Sequence, residues 1–269
     1  VKFDRLGSQT LENAAKCVEL LYKRGKLDPS KGIFRHPVLK YDWSDESFME
    51  DPKVLKLASE GRTIGVFQFE SNGLRAMLKN MGVDSFEDMI AANAMYRPAI
   101  LKAKVVNDDG SVTEGGHTAY AERKKGERAY KIPPALEPVL GHTYGLPIYQ
   151  EQIMQILNIV GGIPLTECES ARKAISKKKP EVLKKFKEQF IKNARTTVGW
   201  NEAKASAYFD DTIVSWSGYG FNRSHAAAYA KLAVVTLYLK AHFPIEFYAI
   251  FMSSLKRAKK DYARIKVFC

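Results

Sequence analysis

A glycine turn and the start of a helix meet in Gly218-Tyr219-Gly220-Phe221-Asn222-Arg223-Ser224-His225-Ala226-Ala227-Ala228-Tyr229. Glycine adopts backbone angles that other residues avoid, so this stretch predicts a tight turn that leads straight into an alanine-rich helix. Ser224 is a candidate N-cap, which would leave free helix amides beside Arg223 and His225. Such amides suit an anion, most simply a phosphate. A tight turn with an ordinary cap explains the same residues, so both interpretations stay open.

Outward from this turn, most of the chain carries apolar residues at helical spacing. The segment from Thr10 to Arg24 is one example, and Gly25 ends it. Ile64 to Phe69 is a short apolar run that favours an extended segment, and the turn residues within 107–116 predict a loop or hairpin. Further helices are predicted over 52–59, 71–81, 85–95, 119–125, 149–160, 166–176, 180–194, 202–216, 226–241 and 245–256. The sequence thus predicts a mainly α fold, with Val1 to Leu6 as the end of a strand.

The charge of the chain points to a polyanionic partner. The 269 residues include 42 Lys and Arg against 30 Asp and Glu, a net charge of +12. A surplus of this size favours association with nucleic acid.

Charged residues and Pro244 interrupt the most apolar stretch, 226–252, so no membrane span is expected. Three widely spaced cysteines form neither a disulfide framework nor a metal pattern, which favours a reducing cytoplasm.

The densest basic segment runs from Arg172 to Arg195. Within it, Lys177-Lys178-Lys179-Pro180 places three cations together at a helix break. Cations presented in this way neutralise phosphates and release counterions. A solvated helix face is the alternative interpretation.

Several enzyme classes have no sequence support. The chain contains no phosphate-binding GxxxxGK[ST] loop, no GxSxG nucleophile motif and no CxxC pair, and its five histidines lack zinc spacing. Asp4, in Lys2-Phe3-Asp4, is a single carboxylate, whereas a catalytic pair of divalent ions needs several oxygen ligands. Taken alone, Asp4 is indistinguishable from a surface aspartate.

Seven motifs in order resemble the C-family of bacterial replicative DNA polymerases, that is, the alpha subunit of DNA polymerase III. The resemblance runs from Lys2 to about Phe251, nearly the whole chain. Its motifs are Lys2-Phe3-Asp4-Arg5-Leu6-Gly7, Gly65-Val66-Phe67-Gln68-Phe69-Glu70-Ser71, Phe86-Glu87-Asp88-Met89-Ile90, Arg97-Pro98, Tyr149-Gln150-Glu151-Gln152-Ile153-Met154, Lys177-Lys178-Lys179-Pro180 and Gly218 to Tyr229.

The resemblance implies a division of the chain into two regions. Residues 1–9 would be the C-terminal end of the palm domain, with a short β segment, and residues 10–269 a helical fingers domain that is incomplete at its C-terminus. Asp4 matches the third of three metal-binding carboxylates and is the implied catalytic residue. The residues implied to bind the triphosphate of the incoming nucleotide are Lys2, Arg172, Lys173, Gly220, Asn222, Arg223, Ser224 and His225, and those implied to contact DNA are Arg97, Lys177, Lys178 and Lys179.

The implied activity is nucleotidyl transfer in DNA replication, with Mg²⁺ as cofactor in a two-metal site. Primer-template DNA, a dNTP and the remainder of the palm are the implied partners, with a sliding clamp and clamp loader bound through regions outside this sequence. Because the other two carboxylates belong to an upstream Asp-x-Asp motif that this sequence lacks, we expect the chain to be inactive alone.

Departures from the family pattern indicate a divergent or phage-like branch. Tyr96-Arg97-Pro98-Ala99-Ile100 stands where the family reads Phe-Arg-Pro-Gly-Pro, and residues 107–116 have no familiar counterpart. Lys173 replaces a common second arginine, which keeps the charge and loses the bidentate fork.

Two further functions remain as alternatives. One is a non-catalytic helical DNA-binding module derived from the same fold. The other is a helical interaction protein with an incidental basic face, which predicts no nucleotide binding and leaves the order of the motifs unexplained.

Overall fold

The computed structural model describes residues 9–27, 47–107, 110–177, 180–218 and 220–255. Its helices are α1 Gln9–Lys23, α2 Pro52–Ser59, α3 Asn72–Met81, α4 Phe86–Met95, α5 Pro98–Leu101, α6 Gly116–Lys124, α7 Glu137–Leu140, α8 Gln150–Ile159, α9 Leu165–Ser176, α10 Pro180–Thr197, α11 Glu202–Tyr208, α12 Ser215–Ser217, α13 Arg223–His242 and α14 Pro244–Ser254. Short 3₁₀ turns occupy Ser47–Glu50, Pro134–Leu136 and Gly141–Thr143, and a π-helix spans Phe209–Val214.

Among the described residues, the only sheet is a hairpin. Its strands are β1 Lys104–Val106 and β2 Val112–Glu114, which pair antiparallel with Val105 opposite Thr113. The mainly α fold predicted from the sequence is therefore confirmed, as is the hairpin. The predicted β segment of the palm lies within residues 1–8, outside the described part of the chain.

The chain divides into two compact units. The first comprises the residues up to Lys79, residues 83–86 and those from Tyr229 onward, and the second comprises 80–82 and 87–228. In the first unit, α1 packs against α14. The buried carboxylate of Glu246 accepts hydrogen bonds there from Arg24 at 2.6 Å and pairs with Lys26 at 2.7 Å. Two cations thus offset the cost of burying one carboxylate.

The second unit carries a buried polar cluster between α4 and α6. Lys124, with a side chain only 7% exposed, pairs with Asp88 and donates to the Gly82 carbonyl at 2.7 Å. The Tyr120 hydroxyl donates to the other oxygen of Asp88 at 3.0 Å. Each member of this cluster is satisfied by its neighbours, so the three side chains fix the position of α4 relative to α6.

Two segments differ from the sequence-based predictions. Residues 64–69 form turns rather than an extended segment, because the Thr63 hydroxyl donates to the Phe69 carbonyl at 2.6 Å and Gln68 has φ of 56°. The segment 202–216 is helical throughout as predicted, but its middle, Phe209–Val214, is a π-helix between α11 and α12 rather than α-helix. Both differences arise from local hydrogen bonds that hydrophobic periodicity does not report.

Candidate functional site

The glycine turn and the start of α8 are joined by backbone hydrogen bonds in the second unit. Phe221 donates to the Ile148 carbonyl at 3.2 Å, and Gln150 donates to the Phe221 carbonyl at 3.0 Å. A Cβ atom at Gly220 would lie 3.2 Å from the Gln150 backbone nitrogen, tighter than an ordinary contact. Gly220 therefore serves this close approach, while Gly218 has an ordinary φ of −85° rather than the unusual angle expected from the sequence.

The N-terminus of α13 already binds a carboxylate. Glu151 accepts from the Arg223 backbone amide at 3.1 and 3.2 Å and from the Asn222 side chain at 2.7 Å. Amides at a helix start favour negative charge, and here a protein side chain supplies it. The anion bound at this turn is therefore the Glu151 carboxylate of the chain itself.

The N-cap of α13 is Asn222, not Ser224 as the sequence suggested. The helix begins at Arg223, and the side-chain oxygen of Asn222 accepts from the His225 amide at 2.8 Å. This bond has the geometry of an N-cap, because the cap oxygen reaches the amide three residues ahead. The side chains of Ser224 and His225 are exposed beside it.

Arg223 lies between an acidic and an aromatic side chain. Its guanidinium forms an ion pair with Glu87 and stands 5.8 Å from the centre of the Tyr149 ring. Its Nε is buried without a hydrogen-bond partner in the described residues. Arg223 is thus held in place while one of its donors remains unused.

Arg97 stacks on the same turn. Its guanidinium carbon lies 3.5 Å from the centre of the Phe221 ring, and that ring meets His225 edge-on at 5.3 Å. Burial lowers the pKa of the Arg97 guanidinium from its usual value. The sequence assigned Arg97 to DNA contacts, whereas the fold places it with residues assigned to the nucleotide.

Arg172 and Lys173 converge on one carboxylate of α9. Arg172 donates to the two oxygens of Glu169 at 3.0 and 3.1 Å, and the Lys173 ammonium lies 3.0 Å from Glu169. Arg172 is 7% exposed and lies 3.5 Å from the Ser217 carbonyl, at the end of α12 just before the glycine turn. Two cations assigned to the triphosphate therefore surround an anion that the chain itself provides.

The Glu169 carboxyl yields a prediction for the pH dependence of stability. The hydrogen bond from Arg172, more than any other cause, lowers the pKa of Glu169 from 4.5 to about 2. Because its pKa in the folded chain is lower than in the unfolded chain, Glu169 stabilises the fold above about pH 4.5, and this contribution is lost as the pH falls toward 2. Wild type should therefore exceed Glu169→Gln in free energy of unfolding at pH 6, and the difference should shrink toward zero near pH 2. Urea unfolding of both proteins followed by circular dichroism measures this, and a pH-independent difference would contradict it.

A cleft of about 520 Å³ opens beside Arg223 and Ser224 at the start of α13. It is lined by Glu87, Pro138, His142, Tyr149, Glu151, Gln152, Gln155, Arg223 and Ser224. Gln152, 2% exposed, is fully used within its wall, because it bonds the Tyr149 amide, the Val139 carbonyl and the Thr143 hydroxyl. The lining of the cleft thus includes a fully hydrogen-bonded glutamine and side chains of both charges.

The remaining predicted site residues are distributed as follows. Lys177 is exposed at the end of α9. Lys2, Asp4, Lys178 and Lys179 lie outside the described residues. Within the described ranges, no group of three or more His, Cys, Asp or Glu side chains is arranged to hold a metal ion.

Comparison with known proteins decides the family. The family model for the bacterial DNA polymerase III alpha subunit finger domain matches residues 39–197, more than half of the chain. The chain belongs to this family. This assignment confirms the resemblance carried by the motifs.

Curated relatives extend the match beyond that range. DNA polymerase III subunit alpha of Aquifex aeolicus is 37% identical over 267 residues, which is 99% of this chain and 21% of that protein. The Escherichia coli K12 protein of the same name is 36% identical over 94% of this chain and 20% of its own length. The Thermus aquaticus protein is 39% identical over 94% of this chain and 19% of its own length. The chain spans about a fifth of the length of these relatives.

Proposed function

We propose that this fingers domain binds the triphosphate of an incoming dNTP for a replicative DNA-directed DNA polymerase. One observation supports this most strongly: two sites that suit phosphate oxygens are each filled by a carboxylate of the chain. Glu151 accepts from the start of α13, and Glu169 accepts from Arg172. A triphosphate presents the same acceptor chemistry with more charge and would displace both carboxylates.

The cations nearest these positions would hold the phosphates. Arg172 supplies a planar fork suited to two oxygens of one phosphate. Arg97 and His225 flank Phe221, so they would present charge and a hydrogen-bond donor beside the glycine turn. Exposed Asn222 and Ser224 complete the set at the start of α13.

The metal site belongs to the same proposal and rests on the family resemblance. Asp4 would be the third carboxylate of a two-metal site, and the remainder of the palm would supply the other two. The chemistry that Mg²⁺ supplies when bound is activation of the primer 3′-hydroxyl and neutralisation of charge on the leaving pyrophosphate. The described part of the chain would bind the triphosphate of the nucleotide rather than the metal ions.

Primer-template DNA is the second proposed ligand. Helix α10 carries exposed cations at Lys184, Lys185, Lys192 and Arg195, and exposed Lys177 precedes it. Such cations neutralise backbone phosphates without reading the sequence. The rest of the polymerase, a sliding clamp and a clamp loader would be the protein partners, in the cytoplasm. No helix in the described ranges has the length and apolar content of a membrane span.

Opposite changes at one ion pair test the triphosphate proposal. Arg172→Gln should weaken dATP binding about tenfold to a hundredfold, because a charge-assisted hydrogen bond contributes about 1.5–3 kcal/mol. Glu169→Gln should tighten dATP binding, because it removes the internal competitor. Calorimetric titration of the 269-residue chain with dATP measures both.

Lys192→Gln, which removes one exposed charge from α10, serves as the control for net charge. It should leave dATP affinity within about twofold of wild type, and Arg172→Gln should leave duplex DNA affinity nearly intact. Equal loss of dATP and duplex binding in Arg172→Gln would refute the proposed role and favour a general DNA-binding module.

A further inference from the structure

A basic cleft of about 370 Å³ lies in the first unit, outside the site described above. Its walls come from α2, the following turn, the end of α13 and the start of α14. The lining residues are Lys53, Lys56, Leu57, Glu60, Arg62, Lys240, Ala241, Pro244 and Tyr248. Four of these carry positive charge and one carries negative charge, so the cleft has a net positive lining.

A buried lysine forms the floor of the cleft. Lys240 is 6% exposed, and its ammonium donates to the Ile64 carbonyl at 2.7 Å. Its nitrogen lies 5.6 Å from the centre of the Tyr248 ring. Burial, followed by the charges of Arg62 and Arg75, lowers the pKa of Lys240 to about 8, and the Glu70 carboxylate opposes this shift to a smaller extent. A cation kept this far from water, beside like charges, favours an anion next to it.

The exposed cations at the mouth of the cleft form at most one weak ion pair with the described residues. Lys53 and Lys56 are exposed on α2 and form no ion pair with the described residues. Arg62 meets Glu60 at 3.6 Å with both side chains well exposed, a geometry that contributes little to stability. Pro244, the first residue of α14, also lines this cleft.

We propose that this cleft binds a phosphate group, held by Lys240 at the floor and by Lys56 and Arg62 at the mouth. Leu57 and Tyr248 add an apolar wall on which a neighbouring sugar or base can pack. The phosphate would come from a nucleic acid strand or from free inorganic phosphate. This site does not depend on the proposed dNTP site, whose described residues all belong to the second unit.

Nuclear magnetic resonance of the ¹⁵N-labelled 269-residue chain tests the proposal. Inorganic phosphate and, separately, a short oligothymidylate are titrated while the Ala241 amide, in the cleft wall, is followed. The double variant Lys56→Gln/Arg62→Gln should lower the affinity for whichever of these ligands binds by about tenfold, because two phosphate contacts are lost. The matched control is Lys16→Gln/Lys23→Gln, which removes two exposed charges from α1 and should leave the affinity unchanged.

The two titrations distinguish the sources of phosphate. A shift with oligothymidylate alone supports a strand as ligand, and a shift with inorganic phosphate alone supports a free anion. If neither ligand moves the Ala241 resonance, or if the Lys56→Gln/Arg62→Gln variant binds as tightly as its control, the proposal is overturned. A separate titration of the same proteins with dATP, followed at the His225 amide, reports binding at the proposed dNTP site independently of this cleft.

Discussion

Replacing Lys124 with methionine is expected to lower the free energy of unfolding by about 3–5 kcal/mol, since it removes the cation that pairs with a buried carboxylate. Asp88 is 1% exposed and would lose its ion pair with Lys124, while the Tyr120 hydroxyl would still donate to it at 3.0 Å. The Gly82 carbonyl would also lose its donor. Urea unfolding at pH 7 measures the change.

Two companion variants make this result specific. Lys125→Met removes an exposed neighbouring charge and should change stability by less than about 0.5 kcal/mol. Asp88→Asn/Lys124→Met removes both charges and should recover part of the loss. If Lys124→Met is as stable as Lys125→Met, the buried pair does not support this unit.

The Lys124 pair also bears on the candidate site. Glu87, which pairs with Arg223, directly precedes Asp88 on α4. Arg123, which directly precedes Lys124, donates to the Tyr144 carbonyl at 3.1 Å, at the start of the chain that leads to α8. Loosening α4 and α6 should therefore weaken dATP binding as well as stability.

Asp4→Asn in the complete polymerase is expected to lower the rate of nucleotide incorporation by about a thousandfold or more. Metal ions stabilise the charge of the transition state by several kcal/mol, and each 1.36 kcal/mol changes the rate about tenfold. Single-turnover primer extension measures the rate, and circular dichroism verifies that the variant is folded.

Duplex DNA affinity provides the control for Asp4→Asn. Duplex affinity should stay near that of wild type, because Asp4 would act on the metal rather than on the DNA backbone. Incorporation within about tenfold of the wild-type rate would remove Asp4 from the metal set.

Helices were the part of the fold that the sequence predicted best. Pro52–Ser59 was predicted to the residue, and the predicted helices over 71–81 and 149–160 lie within one residue of their observed bounds. Their apolar stripes and end signals are local, so a single sequence contains them. The π-helix Phe209–Val214 was missed because its hydrogen bonds, rather than its composition, set it apart.

The candidate site was predicted less completely. The family resemblance assigned roles to Arg172, Lys173 and the stretch from Gly220 to His225. It assigned none to the carboxylates that contact them, although Glu87 and Glu151 lie within the motifs. Glu87 pairs with the Arg223 guanidinium and Glu151 accepts from the Arg223 backbone amide, and both contacts join segments far apart in sequence. Glu169 instead shares α9 with its partners Arg172 and Lys173. The ion pairs of Glu169 with Arg172 and Lys173 could have been predicted from the sequence, because acidic and basic residues three and four apart on a helix lie next to each other.

The proposed binding of a dNTP depends most directly on recognition of phosphates at the start of α13. The decisive measurement compares dATP with dAMP binding to the 269-residue chain, followed at the His225 amide. We predict that dATP binds about 30-fold more tightly or better, since at least one further charge-assisted hydrogen bond forms with the added phosphates. Equal affinities, or no shift at His225, would contradict the account.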